Sequence, residues 1–261
     1  MADVLSEFRE TTFSYNGETR TVYRAGSGPG VVVMSEIPGI TPKVTEFAQR
    51  VVDAGFTVAM PNLFGEPGRE PSFGYIMKSM TQGCISREFS NWALNRTSPI
   101  IDWLRALARD LHAQCGGPGV GAIGMCFTGG FALAMAVDDT MLAPVLSQPS
   151  LPFAGGKARK RALGLSDADL ATVAAREDFC MVAMRFTGDP AVPAERFERL
   201  REVFGDRVIT IEIENRKGRN PYNFPKAAHS VVTEHLVDEP GNPTKDALDR
   251  VLSFFQERLT T

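Results

Sequence analysis

The sequence lacks three features that mark large classes of protein. It has no excess of basic residues, since its formal net charge is -3 at pH 7, and this argues against nucleic acid or an acidic membrane as a partner. It has no apolar run close to the roughly 18 residues that a membrane-spanning helix needs. Its first residues, MADVLSEFRE, are polar and acidic, unlike the apolar segment of a secretory signal peptide. We therefore expect a soluble protein of the cytoplasm.

Paired cysteines are also missing. Cys84, Cys115, Cys126 and Cys180 lie far apart and form no C-x-x-C motif, which favours reduced thiols over a disulfide framework or a zinc site. The sequence contains no histidine pair at metal-ligand spacing and neither of the phosphate-binding motifs GxGxxG and GxxxxGKS/T. We therefore expect neither a metal nor an organic cofactor.

The sequence does contain a regular alternation of apolar segments. Hydrophobic residues make up 43% of its 261 positions, and a chain of this size buries roughly three quarters of its unfolded surface. Short unbroken apolar runs, typical of strands buried on both faces, alternate with segments of helical periodicity. We predict an α/β fold in a single domain over residues 1–261, with a mostly parallel central sheet, helices on both faces and a cap-like insertion around residues 61–97.

The individual elements follow from local patterns. Asn16 and Gly17 predict the turn of an opening hairpin. The predicted strands after it cover residues 31–34, 56–60, 120–125, 142–146, 181–187 and 208–213. The predicted helices cover residues 44–52, 99–111, 127–137, 166–176, 194–204 and 246–259.

Cys126 stands between a predicted strand and a predicted helix, in the segment GAIGMCFTGG. Ligands gather at the carboxyl ends of parallel strands, and a nucleophile between small residues at such an end is typical of a nucleophile elbow. The amino end of the following helix favours a thiolate and offers backbone N–H groups to an oxyanion. Cys126 is therefore a candidate nucleophile, and the alternative is a small buried residue at a strand–helix turn.

Two residues further along the chain are candidate partners of this thiol. In the elbow architecture an acid and then a histidine follow the nucleophile. Asp189 follows a predicted strand in GDPAVP, and His229 follows the next predicted strand in AAHS. An Asx turn or an aspartate at the start of a helix is the alternative for Asp189. Of the other two histidines, His112 is predicted to lie solvated on a helix before the nucleophile, whereas His235 is the rival for the base.

A carboxylate ends the first buried strand. Glu36, in MSEIPGI, is costly to desolvate unless it meets a partner or takes part in chemistry, and the alternative is a solvated loop residue. The N–H group of Ile37 is placed to donate to an oxyanion beside the N–H group of Phe127. The sequence thus predicts an oxyanion hole at the same edge as the thiol.

Taken together, SEIPGI, GMCFTGG, GDPAVP and AHS resemble the dienelactone hydrolase (carboxymethylenebutenolidase) family of the α/β-hydrolase superfamily. The resemblance runs from about Val31 to the C-terminus. It implies the α/β-hydrolase fold, a triad of Cys126, His229 and Asp189, and a glutamate at Glu36 that interacts with the resting thiol and takes its proton when substrate binds. It also implies hydrolysis of an ester or enol-lactone through a thioester acyl-enzyme.

Two positions depart from the pattern of the best-known family members. Thr128 stands where those members have glycine. Thr233 stands where they have an arginine, four residues after the histidine, that binds a substrate carboxylate. Arg87, in GCISREFSNW, is a candidate substrate-binding residue that could replace part of this carboxylate clamp, as could Arg216 or Arg219.

The sequence therefore predicts a cysteine-dependent hydrolase of small esters or enol-lactones. Its partner is expected to be a small-molecule substrate, with no nucleic acid and no membrane, and the protein is expected to be a monomer or a small homo-oligomer. Two other functions stay open: a non-catalytic small-ligand-binding protein of the same fold, and a redox-sensing thiol protein in which Cys84 approaches Cys126 in space.

Overall fold

The strands and helices predicted from the sequence alternate in the computed structural model, which describes residues 4–85, 98–151 and 156–260. The strands are β1 Arg9–Tyr15, β2 Glu18–Ala25, β3 Gly30–Met34, β4 Thr57–Pro61, β5 Val120–Met125, β6 Met141–Ser147, β7 Met181–Phe186 and β8 Val208–Ile213. The helices are α1 Pro42–Asp53, α2 Phe73–Ile85, α3 Pro99–Cys115, α4 Gly129–Met135, α5 Lys157–Arg161, α6 Asp167–Ala175, α7 Ala194–Phe204 and α8 Pro243–Leu259.

In the described ranges the eight strands form one sheet in the order β1-β2-β4-β3-β5-β6-β7-β8. The opening hairpin pairs β1 with β2 around Asn16 and Gly17, both at positive φ, and β2 pairs antiparallel with β4. The strands from β4 through β3 to β8 are all parallel. Because β3 pairs directly with β5, with Met34 opposite Gly124, the segments that follow these two strands lie side by side.

Helices cover both faces of the sheet, as predicted. On one face, α1 and α8 bury apolar stripes against the sheet, and Phe255 of α8 meets Phe56 edge to face with ring centroids 5.9 Å apart. On the other face, buried residues of α3, α4 and α7 form a second apolar cluster. The two clusters hold the parallel strands between two helical layers, so that loops at the carboxyl ends of the strands are positioned by buried elements.

Most predicted helices have different bounds in the structure. The first is Pro42–Asp53 instead of 44–52, α3 runs on to Cys115 past the predicted end at residue 111, and two further differences have local causes. The helix predicted over residues 127–137 is a 3₁₀ turn at Cys126–Thr128 followed by α4, which ends at Met135. The left-handed backbone of Cys126, with a φ of 53°, keeps any helix from starting before this turn. The last helix begins at Pro243 instead of Asp246, since the Asn242 side chain caps it by accepting the N–H of Thr244. The predicted strands after the hairpin are confirmed to within one residue at either end.

The predicted cap-like insertion lies only partly within the described ranges. After β4, the chain forms a loop and then α2, a helix of 13 residues. No helix in the described part of the chain is both long enough and apolar enough to cross a membrane.

Candidate active site

The turn after β5 leaves no room for a side chain at two glycine positions beside the cysteine. Cys126 has a φ of 53°, an uncommon conformation for a residue with a side chain. A Cβ atom on Gly124 would lie 1.9 Å from the Thr128 carbonyl oxygen, and one on Gly129 would lie 2.6 Å from the Cα of Pro149. The sequence pattern of small residues around Cys126 therefore has a steric cause, and the turn has the geometry of a nucleophile elbow.

Thr128, a departure from the family pattern, ties this turn to the end of β3. Its fully buried hydroxyl accepts the N–H of Met125 at 2.8 Å. The same hydroxyl lies 3.1 Å from the carbonyl oxygen of Met34 and 3.2 Å from that of Ser35, and these two oxygens are acceptors for its single proton. A glycine at position 128 would make none of these bonds. The threonine therefore fixes the nucleophile turn against the segment that carries Glu36.

Thr128→Val keeps the shape of this side chain and removes its hydroxyl. We expect the free energy of unfolding to fall by about 2–3 kcal/mol, because the N–H of Met125 is left buried without its acceptor. Thr128→Ser, the matched control, keeps the hydroxyl and loses one methyl group, at a cost of about 1 kcal/mol or less. Urea denaturation of both variants measures the difference, and equal stabilities would show that the hydroxyl does not hold the turn.

The structure brings His229 and Asp189 together. Nδ1 of His229 lies 2.5 Å from Oδ2 of Asp189, and the other carboxylate oxygen accepts the N–H of Ala191 at 2.9 Å. Asp189 is buried in the loop after β7, and His229 is partly exposed in the loop after β8. The carboxylate therefore orients the imidazole through Nδ1 and leaves Nε2 as the nitrogen available for chemistry.

The electrostatic surroundings of His229 include the cysteine. Burial by itself lowers the pKa of His229, but the charge of Cys126 and hydrogen bonds with Asp189 and Cys126 outweigh burial and raise this pKa well above its usual value. The imidazole is therefore held in its protonated form when the sulfur is negatively charged. Cys126, His229 and Asp189, which were predicted from their order in the sequence, lie together in one site.

Asn215 links the two loops that carry the histidine and the acid. Its buried side chain accepts the N–H of Gly188 at 2.7 Å and donates to the carbonyl oxygen of Pro225 at 3.2 Å. The first contact fixes the residue before Asp189, and the second fixes the loop before His229. The sequence does not single out Asn215, since its only local signal is a polar residue soon after a strand.

The other two histidines have different surroundings. Nδ1 of His235 accepts the N–H groups of His229 at 3.4 Å and of Ser230 at 3.3 Å. Burial, together with the charge of His229, lowers the pKa of His235, so this ring is neutral and supports the loop. His112 bonds the carbonyl of Gly117 at 3.0 Å, at the amino end of β5 and thus at the opposite end of that strand from Cys126. Of the two candidate bases, His229 is the one that meets Asp189.

Glu36 is buried and its carboxylate is held by three neutral donors. The hydroxyls of Ser230 and Thr233 both donate to it, and Nε2 of Gln148 donates to it at 3.2 Å. Thr233 is the position at which the best-known family members have arginine, and here its hydroxyl is used by Glu36. Among the hydrogen bonds of the described residues, the thiol contact implied by the resemblance is not present, and Sγ of Cys126 is instead 3.1 Å from the hydroxyl oxygen of Ser150.

Gln148, which no sequence motif singles out, joins three segments of the site. It is fully buried at a φ of 35°, directly after β6. Its side-chain oxygen accepts the N–H of Val231 at 3.2 Å, and its amide nitrogen donates to Glu36. The buried amide therefore connects the end of β6, the end of β3 and the histidine loop, and no local pattern in the sequence predicts such a connection.

The predicted oxyanion residues flank the nucleophile turn. Ile37 follows Glu36 after β3, Phe127 follows Cys126 after β5, and these two strands are neighbours. The Phe127 ring is buried and packs edge to face on Phe64 and on Phe131. The donor role of the two backbone N–H groups stays a prediction.

The arginines considered for a carboxylate clamp are in three different situations. Arg87 lies outside the described residues. The Arg216 side chain is paired with Glu214 through Nη2 at 2.5 Å. Arg219 lies on a surface cleft of the loop before His229, together with Lys217 and Lys226. The described residues include no cluster of three or more histidine, cysteine or acidic side chains that could hold a metal ion.

The strand order, with the nucleophile after β5, the acid after β7 and the histidine after β8, defines an α/β-hydrolase fold. The sequence matches the profile of the dienelactone hydrolase family over residues 18–259. The chain therefore belongs to that family, which makes it a carboxylic ester hydrolase, the class predicted from the sequence.

Solved structures share this fold at low sequence identity. A putative dienelactone hydrolase from Klebsiella pneumoniae is 16% identical with a TM-score of 0.64, covering 96% of this chain and 98% of its own. A dienelactone hydrolase-like promiscuous phosphotriesterase from metagenomic libraries is 17% identical with a TM-score of 0.65 and coverages of 97% and 98%. A dienelactone hydrolase from Anabaena variabilis is 16% identical with a TM-score of 0.57 and coverages of 97% and 99%. No curated protein matches the sequence.

Proposed function

We propose that the protein hydrolyses small carboxylic esters or enol-lactones with Cys126 as the nucleophile, through a thioester acyl-enzyme. The observation that carries this proposal is the 2.5 Å hydrogen bond between His229 and Asp189, together with the charge of Cys126 at the elbow, which helps to raise the pKa of His229. A thiolate beside an imidazolium is a nucleophile paired with the acid that the leaving group needs. Membership of the family supports the reaction class.

Acylation uses this pair directly. The thiolate of Cys126 attacks the acyl carbon, a carbon–sulfur bond forms, and the negative charge moves to the carbonyl oxygen. The N–H groups of Ile37 and Phe127 donate to that oxyanion. As the carbon–oxygen bond breaks, the His229 imidazolium gives its proton to the leaving oxygen. An ester releases an alcohol at this step, whereas an enol-lactone keeps the opened end within the bound acyl group.

Deacylation uses the same residues in reverse. The neutral imidazole of His229 takes a proton from water, and the hydroxide attacks the thioester carbon. The carbon–sulfur bond breaks, the carboxylic acid leaves, and the sulfur departs as a thiolate beside the imidazolium. Asp189 exchanges no proton in either step, since its role is to hold Nδ1 of His229.

In this proposal Glu36 positions the site and does not carry the thiol proton. Three donors occupy its carboxylate, and two of them, Ser230 and Thr233, belong to the segment that follows His229. The carboxylate therefore joins the oxyanion segment after β3 to the base. Position 233 holds a threonine, so it offers no cation to a substrate carboxylate, and the threonine hydroxyl is already bound to Glu36. The proposed substrates are therefore esters and enol-lactones, with no carboxylate required.

A trapped acyl group tests the proposal. Mixing the protein with an activated acetate ester of a nitrophenol and measuring its mass at short times is expected to show one acetyl adduct, located on Cys126 by peptide mapping. Because the adduct is a thioester, neutral hydroxylamine is expected to remove it. His229→Ala is expected to lengthen the life of the adduct, since the base for deacylation is missing. Cys126→Ala is the matched control and should stay unmodified.

The other two functions left open by the sequence give different results in this experiment. A ligand-binding protein without turnover would form no hydroxylamine-sensitive adduct. A redox thiol protein would form none either, but would respond to peroxide. An adduct on an oxygen nucleophile, stable to neutral hydroxylamine, would show that the protein is a hydrolase of a different mechanism.

A further inference from the structure

A hydroxyl group from outside the predicted triad lies against the nucleophile. Oγ of Ser150 is 3.1 Å from Sγ of Cys126, and the backbone N–H of Ser150 donates to the Cys126 carbonyl oxygen at 2.9 Å. Ser150 comes from the segment after β6, the strand next to β5 in the sheet. Two hydrogen bonds join the same pair of residues, so the hydroxyl has a fixed position relative to the sulfur.

The segment that carries this hydroxyl is anchored by buried groups. Arg196, which is only 2% exposed, donates from Nη1 to the carbonyl oxygen of Pro149 at 2.7 Å. Pro149 also packs so closely on Gly129 that a Cβ atom there would clash with its Cα at 2.6 Å. The backbone N–H of Gln148 donates to Met184 of β7 at 2.8 Å. Ser150 is therefore placed before any substrate binds, as a preorganised group must be.

We propose that Ser150 is a catalytic residue whose hydroxyl donates a hydrogen bond to the thiolate of Cys126. A thiolate has no proton, so in that state the hydroxyl is the donor of the 3.1 Å contact. Hydrogen bonds to charged acceptors are stronger than those between neutral groups. This inference rests on the proposed function, because it takes Cys126 as the nucleophile. It adds the Ser150 hydroxyl to the groups that act on the sulfur.

The hydrogen bond is strong when the sulfur is charged and weak when it is acylated. In the free enzyme it increases the fraction of thiolate at neutral pH. In the thioester the sulfur carries no charge, and the bond regains its strength as the sulfur leaves during deacylation. A stabilised thiolate is also intrinsically less nucleophilic, so the hydroxyl increases the amount of nucleophile and reduces its reactivity per molecule. These opposite effects give Ser150 a signature that a structural residue would not have.

The signature is a pair of pH profiles that cross. Each profile is the rate at which the Cys126 thiol reacts with a disulfide, measured against pH for the wild type and for Ser150→Ala. The reagent is a neutral aromatic disulfide, dipyridyl disulfide, and the Cys126→Ala protein supplies the background from other thiols. We expect Ser150→Ala to react about threefold more slowly than the wild type near pH 6, because less thiolate is present, and about threefold faster at alkaline pH, once both proteins hold the thiolate. Ester turnover is not needed for this measurement.

Ser150→Thr and Ser150→Val are the matched pair, since they have the same shape and differ by a hydroxyl. The threonine variant is expected to follow the wild-type profile and the valine variant the alanine profile. If Ser150→Ala does not fold, the comparison of these two variants takes its place as the test. Profiles that coincide, or that differ by one factor at every pH, would overturn the role of Ser150. Failure of the proposed function has a separate readout, the absence of an acetyl adduct on Cys126.

Discussion

Replacing Cys126 with alanine is expected to lower kcat/KM for an activated ester by a factor of about 10⁴ or more. The substitution removes the atom that forms the acyl-enzyme and leaves the oxyanion donors and the His229–Asp189 pair in place. Water must then attack the ester directly, with only charge stabilisation and binding to assist it. Steady-state release of the nitrophenol product, corrected for the uncatalysed reaction, measures the loss.

The control for this prediction is Cys180→Ala, because Cys180 is a partly exposed thiol just before β7. Its turnover is expected to match that of the wild type. Cys126→Ala retains the left-handed backbone of the turn, so its circular dichroism spectrum and urea midpoint should also stay close to those of the wild type. Turnover above a tenth of the wild-type rate by folded Cys126→Ala would refute cysteine catalysis.

The sheet could be predicted from the sequence because each parallel strand has a local signal. The run at 120–125 is apolar at most positions, and it is followed by the small residues that the tight turn at Cys126 requires. The hairpin has an Asn-Gly turn, and α7 has apolar residues at helical spacing. Burial on both faces of a parallel sheet produces such runs whatever the distant contacts are. Two of the bounds that differ, at Cys126 and Asn242, lie where a single backbone angle or a single cap acts.

The triad was predictable because order along the chain and position after a strand are sequence properties. The groups that support it were not. Gln148, Ser150 and Asn215 act through contacts with segments more than twenty positions away, as in the bond between Gln148 and Glu36. A polar residue in a loop carries no periodic signal of such a contact. The pairing of Thr233 with Glu36 likewise needed coordinates, although the absence of arginine at position 233 was visible in the sequence.

Asp189→Asn is expected to lower kcat by a factor of about 10³–10⁴. The asparagine oxygen would continue to accept the N–H of Ala191, which leaves its NH₂ group facing Nδ1 of His229. An NH₂ group donates a hydrogen bond, so Nδ1 must lose its proton and Nε2 must carry one. The ring then offers the thiol a donor where a base is needed. Asp206→Asn, which changes an exposed carboxylate in the turn before β8, is the matched control.

The surviving activity of Asp189→Asn should also depend differently on pH. Burial works against the imidazolium, whereas the charge of Cys126 and the bonds to Asp189 and Cys126 raise the pKa of His229. A raised pKa keeps the imidazolium present as the pH increases, so wild-type kcat/KM is expected to fall only at alkaline pH. Removing the carboxylate removes one cause of this rise, and the alkaline limb should move to lower pH. An alkaline limb that stays at the wild-type pH would show that Asp189 does not set the charge of His229.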